Sequence, residues 1–266
     1  MLSEKRRYSL LIWGLGLGYF LTYTPYSGLT KALSSGLLPA TNGAVKGTVL
    51  LPVSAIATLI GMFGFITAMG WWKYAGRREF FGVSVPFPRR LTFLSGVCMA
   101  TIMGTTTLAF TFGGLSIVLV LVLFRGGTLI IAPVVDRIVG RRVRWFSWTA
   151  MLVSFAAVLL VLSDASSYTL TVVAAIDILA YLVAYFFKLQ FMSRLAKTED
   201  RATTLRYLVE EQMVASPLLV LALVVMAFTG GGDMMLAFRT GLTSFVMMPA
   251  AFYAARLELL HGRWEK

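Results

Sequence analysis

The chain has 266 residues, 58% of them hydrophobic and 14% charged, with a mean hydropathy of +0.79 and a formal net charge of +12. A soluble domain is about 45–50% apolar and about 25% charged, so this composition argues against a soluble protein and for one that crosses a membrane many times. In such a chain the basic excess belongs to cytoplasmic loops and anionic headgroups. No basic stripe with interleaved aromatics stands on a soluble domain, so nucleic acid is not an expected partner.

In chain order, the first membrane helix is Tyr8–Tyr26, behind Lys5, Arg6 and Arg7. No small-residue cleavage site closes this run, so it reads as a span and not a signal peptide. Pro25 kinks or ends it. Gly28–Gly47, with Pro39 and Asn42-Gly43, extends the helix and then turns. Thr48–Trp72 is the second span, with Trp71-Trp72 suited to the interface. Lys73–Arg90 reads as a basic loop with Pro86 and Pro88, and Leu91–Thr111 as the third span. After the short uncharged turn Gly113-Gly114 comes the fourth span, Leu115–Val135. About 20 helical residues cross a bilayer, which puts Arg125 near the membrane centre at a cost of roughly 2.5–3.5 kcal/mol. Arg137, Arg141, Arg142 and Arg144 follow it. Trp145–Leu162 is the fifth span, and Ser163–Tyr168 a turn. Thr169–Phe187, containing Asp177, is the sixth, and Lys188–Arg206 a polar connector. Tyr207–Phe228 is the seventh, stopped by Gly230-Gly231-Gly232. Met234–Ala255 is the eighth, and Arg256–Lys266 a short tail.

Charge gives the orientation. With the N-terminus inside, the inner segments hold 20 of the 24 Lys and Arg residues. Outer segments hold only Lys31, Lys46 and Arg239, and Arg125 lies within the membrane. Both termini are therefore expected in the cytoplasm.

Four pieces of the chain carry a family resemblance. One is Lys31, a small-residue turn, Pro39 and then Lys46 opening the next helix. Another is the nearly loopless passage LAFTFGGLSIVLVLVLF. The third is Pro133 followed by a charged turn and RVRWFSWTAMLVSFAAVLLVL, and the last is the restart of the sixth helix with a basic connector after it. Over about Trp13–Tyr253 the chain resembles the drug/metabolite transporter superfamily, in its EamA-like branch. The resemblance implies ten helices in two inverted five-helix repeats, and a solute path near the midplane worked by alternating access. The expectation is an all-α polytopic integral membrane protein of about eight transmembrane helices, resembling that 5+5 fold without its last two helices. Residues 1–266 would form one transmembrane domain, with 1–164 the first repeat and 165–266 a partial second. The chain is then a fragment, a natural truncation or a distinct eight-helix relative, and a partner chain would complete the path if the missing helices line it.

Arg125 is the first candidate for substrate binding, through an anionic group of a solute; the alternative is that it locks helices by pairing with an acidic residue or carbonyls. Gly126-Gly127 beside it would allow close helix approach. Asp177 is the acidic residue well inside a span. It binds a proton or a cationic group, or neutralises Arg125. Tyr181 and Tyr185 follow it on one helical face, with Lys188 one turn further; they line a cavity, or make helix contacts with Lys188 reaching to the interface. Lys31 and Arg239 greet an anionic solute or anchor helix ends. Glu210 and Glu211 read as caps at the start of the seventh helix. Thr105, Thr106 and Thr107 offer hydroxyls to a path, or bond their own helix.

The single Cys98 and single His261 argue against a His/Cys metal centre. No Walker-type loop and no catalytic constellation is apparent. The expected function is ATP-independent transport of a small organic solute across the plasma (inner) membrane, with no enzyme activity, metal or cofactor. The expected partners are the lipid bilayer, a small-molecule substrate and further copies in a homo-oligomer. The alternatives are an embedded enzyme acting on a lipid or lipid-linked substrate, held by arginines such as Arg137–Arg144, and an incomplete or scaffold subunit.

Overall fold

The computed structural model describes residues 14–37, 44–112, 116–163, 171–195 and 200–230, apart from 15–16, 18–19, 22–23, 26, 81, 142 and 144, together with residue 235. Residues 27–34 belong to α1. Then come α2 (Gly47–Ala68), a 3-10 turn (Trp71–Tyr74), β1 (Arg77–Phe80), β2 (Val83–Pro86), α3 (Arg90–Ala109), α4 (Ile117–Ile138), α5 (Trp145–Ser163), α6 (Val172–Leu195) and α7 (Arg201–Gly230). Helices α2 to α7 are the six described helices that are long and apolar enough to cross a membrane. The chain is thus helical and polytopic. The expected first span lies largely, and the eighth almost wholly, outside the described residues.

Local sequence starts and stops these helices. Ser116 caps α4 by accepting the Leu119 N–H at 3.1 Å. Gly70 (φ 62°) and Gly140 (φ 79°) take the left-handed conformation that ends α2 and α4. Asp200 caps α7, its carboxylate accepting the N–H groups of Ala202 (3.1 Å) and Thr203 (3.0 Å) and the Thr203 hydroxyl (2.5 Å).

Two sequence expectations are corrected. Lys73–Arg90 is not an irregular loop: β1 and β2 pair antiparallel, with Arg77 opposite Pro86 and Phe80 opposite Val83. Its alternating Val83-Ser84-Val85 after Gly82 suits a strand and hairpin turn. The expected connector Lys188–Arg206 is largely helical, because α6 continues to Leu195 and α7 begins at Arg201. Charged residues suggest a loop there, but Lys188 is buried beside Glu211 and Arg206 pairs with Glu210, so these two are accommodated within the helices.

Helix α3 is the hub. It packs against α2, α6 and α7, while α4 packs against α5 and α6. Small residues let backbones close up. A Cβ on Gly96 would lie 2.6 Å from Val214 Cβ, so α3 and α7 meet there. A Cβ on Gly126 would lie 2.7 Å from Val158, and one on Gly127 would collide with Leu182, so this glycine pair seats α4 against both α5 and α6. Helix α5 has no buried residue. With lipid outside as apolar as the side chains themselves, its attachment rests on that packing.

Contacts sort the helix ends. Glu210 of α7 bonds Gly76 and Arg89, next to the end of α2 and the start of α3. Ser193 of α6 donates to Asp136 of α4 at 3.2 Å. The basic stretches around Arg77, Arg90, Arg137 and Arg194 therefore share one end of the bundle. Lys31 sits at the other, donating to the Phe112 carbonyl at 3.0 Å.

Candidate functional site

One face of α6 turns its polar groups into the bundle. Asp177, Tyr181, Tyr185 and Lys188 are all buried, as the helical spacing predicts. At 1.5 Å per residue the row runs about 16 Å along the helix. At its upper part Tyr181 stacks on Phe124 of α4, ring centroids 3.8 Å apart and planes at 8°. The Tyr185 ring follows at 5.3 Å. Arg125, next to Phe124 and half-buried, lies within electrostatic reach of Tyr181. Helix α4 thus brings an aromatic face and a cation to the α6 row.

Asp177 Oδ2 is buried without a hydrogen-bond partner. Among the described residues no ion pair joins Asp177 to Arg125. A buried polar atom in that state is uncommon, because an unmet bond costs about 1–3 kcal/mol and more for a charge.

At the lower end of the row the geometry departs from the sequence expectation. Lys188 does not reach out to the interface. Its Nζ donates to Met99 Sδ at 3.1 Å and lies 3.9 Å from Glu211 Oε2. Glu211 Oε1 accepts the Ser95 hydroxyl at 2.5 Å and the Tyr207 hydroxyl at 2.8 Å. The Ser95 and Tyr207 oxygens also lie 2.6 Å apart, and their two hydroxyl protons fill two of these three short contacts at a time.

Glu210 and Glu211 are not first-turn caps, because α7 begins nine residues before Glu210. Glu210 is fully buried. It accepts the N–H groups of Gly76 (3.0 Å) and Arg89 (3.1 Å), the Thr92 hydroxyl (2.7 Å) and Arg206 Nε (2.7 Å). One carboxylate therefore fastens both ends of the β-hairpin segment to α7. These roles left a faint mark in the sequence: Glu210-Glu211-Gln212 interrupts the apolar residues Leu208-Val209 and Met213-Val214, which calls for buried partners.

The other candidates fall elsewhere. Lys31 is at the opposite end of α3 from Ser95, where its ammonium bonds a carbonyl just past the helix terminus, a structural contact. Thr105, Thr106 and Thr107 donate to Thr101, Ile102 and Met103 carbonyls of their own helix. Arg239 and His261 lie outside the described residues. Among the described residues no group of three His, Cys, Asp or Glu is placed to hold a metal.

Compared with known proteins, the chain matches no family model, no curated protein and no solved structure.

Proposed function

We propose that this chain is a carrier for a small organic solute, working by alternating access without ATP, as its resemblance to drug/metabolite transporters implies. The observation that carries this reading is Asp177 Oδ2, a buried oxygen without a partner beside the Phe124–Tyr181 stack. A carboxylate kept only for structure is best served by donors of its own chain. A solute bearing an amine or hydroxyl brings the missing donor with it. Tyr181 and Tyr185 offer aromatic contact, and Arg125 offers a fixed positive charge to an anionic end. The protein sits in the plasma (inner) membrane with both termini cytoplasmic, since the basic residues crowd the inner segments.

The test uses the full chain in proteoliposomes loaded with a mixture of amino acids, amines, polyols and organic acids. Release is followed by mass spectrometry. At least one solute is expected to leave about tenfold faster than from protein-free vesicles, and Asp177→Asn to remove that excess. Release at the protein-free rate for every solute defeats the proposal. New lipid species in the same vesicles would point instead to an embedded enzyme.

A further inference from the structure

The β1–β2 hairpin has two unlike faces. In its register Arg77 stands opposite Pro86, Arg78 opposite Val85 and Glu79 opposite Ser84. Side chains alternate along a strand, so Arg77, Glu79, Ser84 and Pro86 share one face, and Arg78 and Val85 share the other. Phe87 joins the second face: its N–H donates to the Gly76 carbonyl at 2.7 Å, which extends the pairing by one residue. The Arg78 guanidinium stands 5.0 Å from the centre of the Phe87 ring, as neighbours on one face do. One face is thus polar, and the other carries two apolar side chains and a cation.

Among the described residues nothing covers that second face fully. Val85 is 43% exposed and Phe87 47%. A lone two-stranded hairpin is marginally stable in water, so an open apolar face calls for a cover. Its surroundings indicate which. Glu210 holds the hairpin segment through Gly76 and Arg89, beside the ends of two membrane-spanning helices. Trp71 and Trp72, a residue type suited to the headgroup region, stand before it. Leu91, Phe93 and Leu94, exposed at the start of α3, come after it. From residue 73 to residue 90, five exposed basic residues (Lys73, Arg77, Arg78, Arg89 and Arg90) stand against one acidic residue, Glu79. Apolar side chains within a basic segment at a membrane edge match an anionic lipid surface.

We propose that the hairpin is a lipid-binding element. It lies flat on the leaflet at the basic end of the bundle, with Val85 and Phe87 dipped between headgroups and Arg78 on the phosphates of anionic phospholipids. The Arg78 stem runs past Phe87, so the ring sits deeper than the charge, and the guanidinium fork takes phosphate oxygens as paired acceptors. Arg77 and Glu79 stay on the aqueous side. The role goes beyond solute transport and does not depend on it.

The test uses the full chain with Cys98→Ser and one bimane-labelled cysteine, from Val85→Cys, Ser84→Cys or Leu152→Cys. Leu152 of α5 is 60% exposed and serves as the reference for an inserted, folded chain. Vesicles are phosphatidylcholine alone or mixed with phosphatidylglycerol, each with a lipid that carries a nitroxide quencher just below the headgroup. In mixed vesicles quenching is expected at Val85 and not at Ser84, and it is expected to weaken at Val85 in phosphatidylcholine alone. Arg78→Gln is expected to weaken attachment about fivefold, read as lost quenching at Val85, whereas Arg77→Gln changes it less. If Arg78→Gln disturbs quenching at Leu152, added salt decides instead: it screens the headgroups and should lower quenching at Val85 but not at Leu152. Equal quenching at Val85 and Ser84, no response to lipid charge, or equal effects of the two arginine replacements overturns the proposal. Quenching at Val85 that falls as the protein-to-lipid ratio rises gives the face to a second copy and overturns it too. No solute is involved, so the release assay tests the carrier reading separately.

Discussion

Glu210 Oε1 accepts the Gly76 N–H at 3.0 Å across 134 residues of sequence. The bond holds the hairpin segment, and through it the ends of α2 and α3, to one point on α7. Glu210→Ala takes the acceptor from the Gly76 and Arg89 N–H groups, while the Thr92 hydroxyl keeps only the Arg89 carbonyl at 2.9 Å. A loss of about 3 kcal/mol or more is expected, read as a lower thermal unfolding midpoint in detergent. Trypsin should also cut at Arg77 or Arg78 faster in folded protein. An unchanged midpoint and digestion pattern would remove Glu210 as the latch.

Gly96 sets the α3–α7 distance. Gly96→Ala puts its new methyl 2.6 Å from Val214 Cβ, an atom no rotamer change can move. The cost is about 1–3 kcal/mol. Val214→Ala keeps that Cβ and should rescue little, whereas Val214→Gly should rescue more. Equal rescue by both substitutions would place the strain elsewhere.

Asp177 separates stability from function. Asp177→Asn removes a buried charge with an unpartnered oxygen, so stability should hold or rise by about 1 kcal/mol while solute release falls to the leak rate. Phe124→Ala, in contrast, empties the stacked position and should cost about 3–5 kcal/mol. Thermal midpoints of both variants, measured beside release, check the contrast.

Asp200 gives a pH dependence outside the membrane. The Thr203 hydroxyl, with the Ala202 and Thr203 N–H groups, holds its carboxyl below the ordinary value. A depressed carboxyl stabilises fully above its unfolded value, near pH 4, and the benefit is lost as pH falls through the folded one. Protection of the first α7 amides against hydrogen exchange should therefore drop in acid beyond the intrinsic rate change. Asp200→Asn, which caps without titrating, should remove that extra drop.

Much of the bundle was legible because lipid imposes simple rules. Long apolar runs and the arginine after each inner end locate α2 to α5 within a few residues. The α6 face was legible too, since Asp177, Tyr181, Tyr185 and Lys188 follow helical spacing. The partner of Lys188 was not. Glu211 lies 23 residues away and Ser95 on another helix, and only tertiary packing brings them together. Lys188 reads as reaching to the interface and Glu210 as a cap because charge in a helix suggests solvent. A burial offset by several donors leaves the same composition. Gly82 and the valines after it did announce the hairpin, but prolines and arginines around them favoured an irregular reading.

The hairpin fastening also orders the protein's birth. Gly76 leaves the ribosome 134 residues before Glu210, a gap of roughly 7–27 s at ordinary synthesis rates. Through that interval the N–H groups of Gly76 and Arg89 can only bond water, so the hairpin segment must wait at the membrane surface for the seventh helix. Maturation of the early helices is thereby tied to the arrival of a late one, and translational pausing between α3 and α7 prolongs the exposed stage.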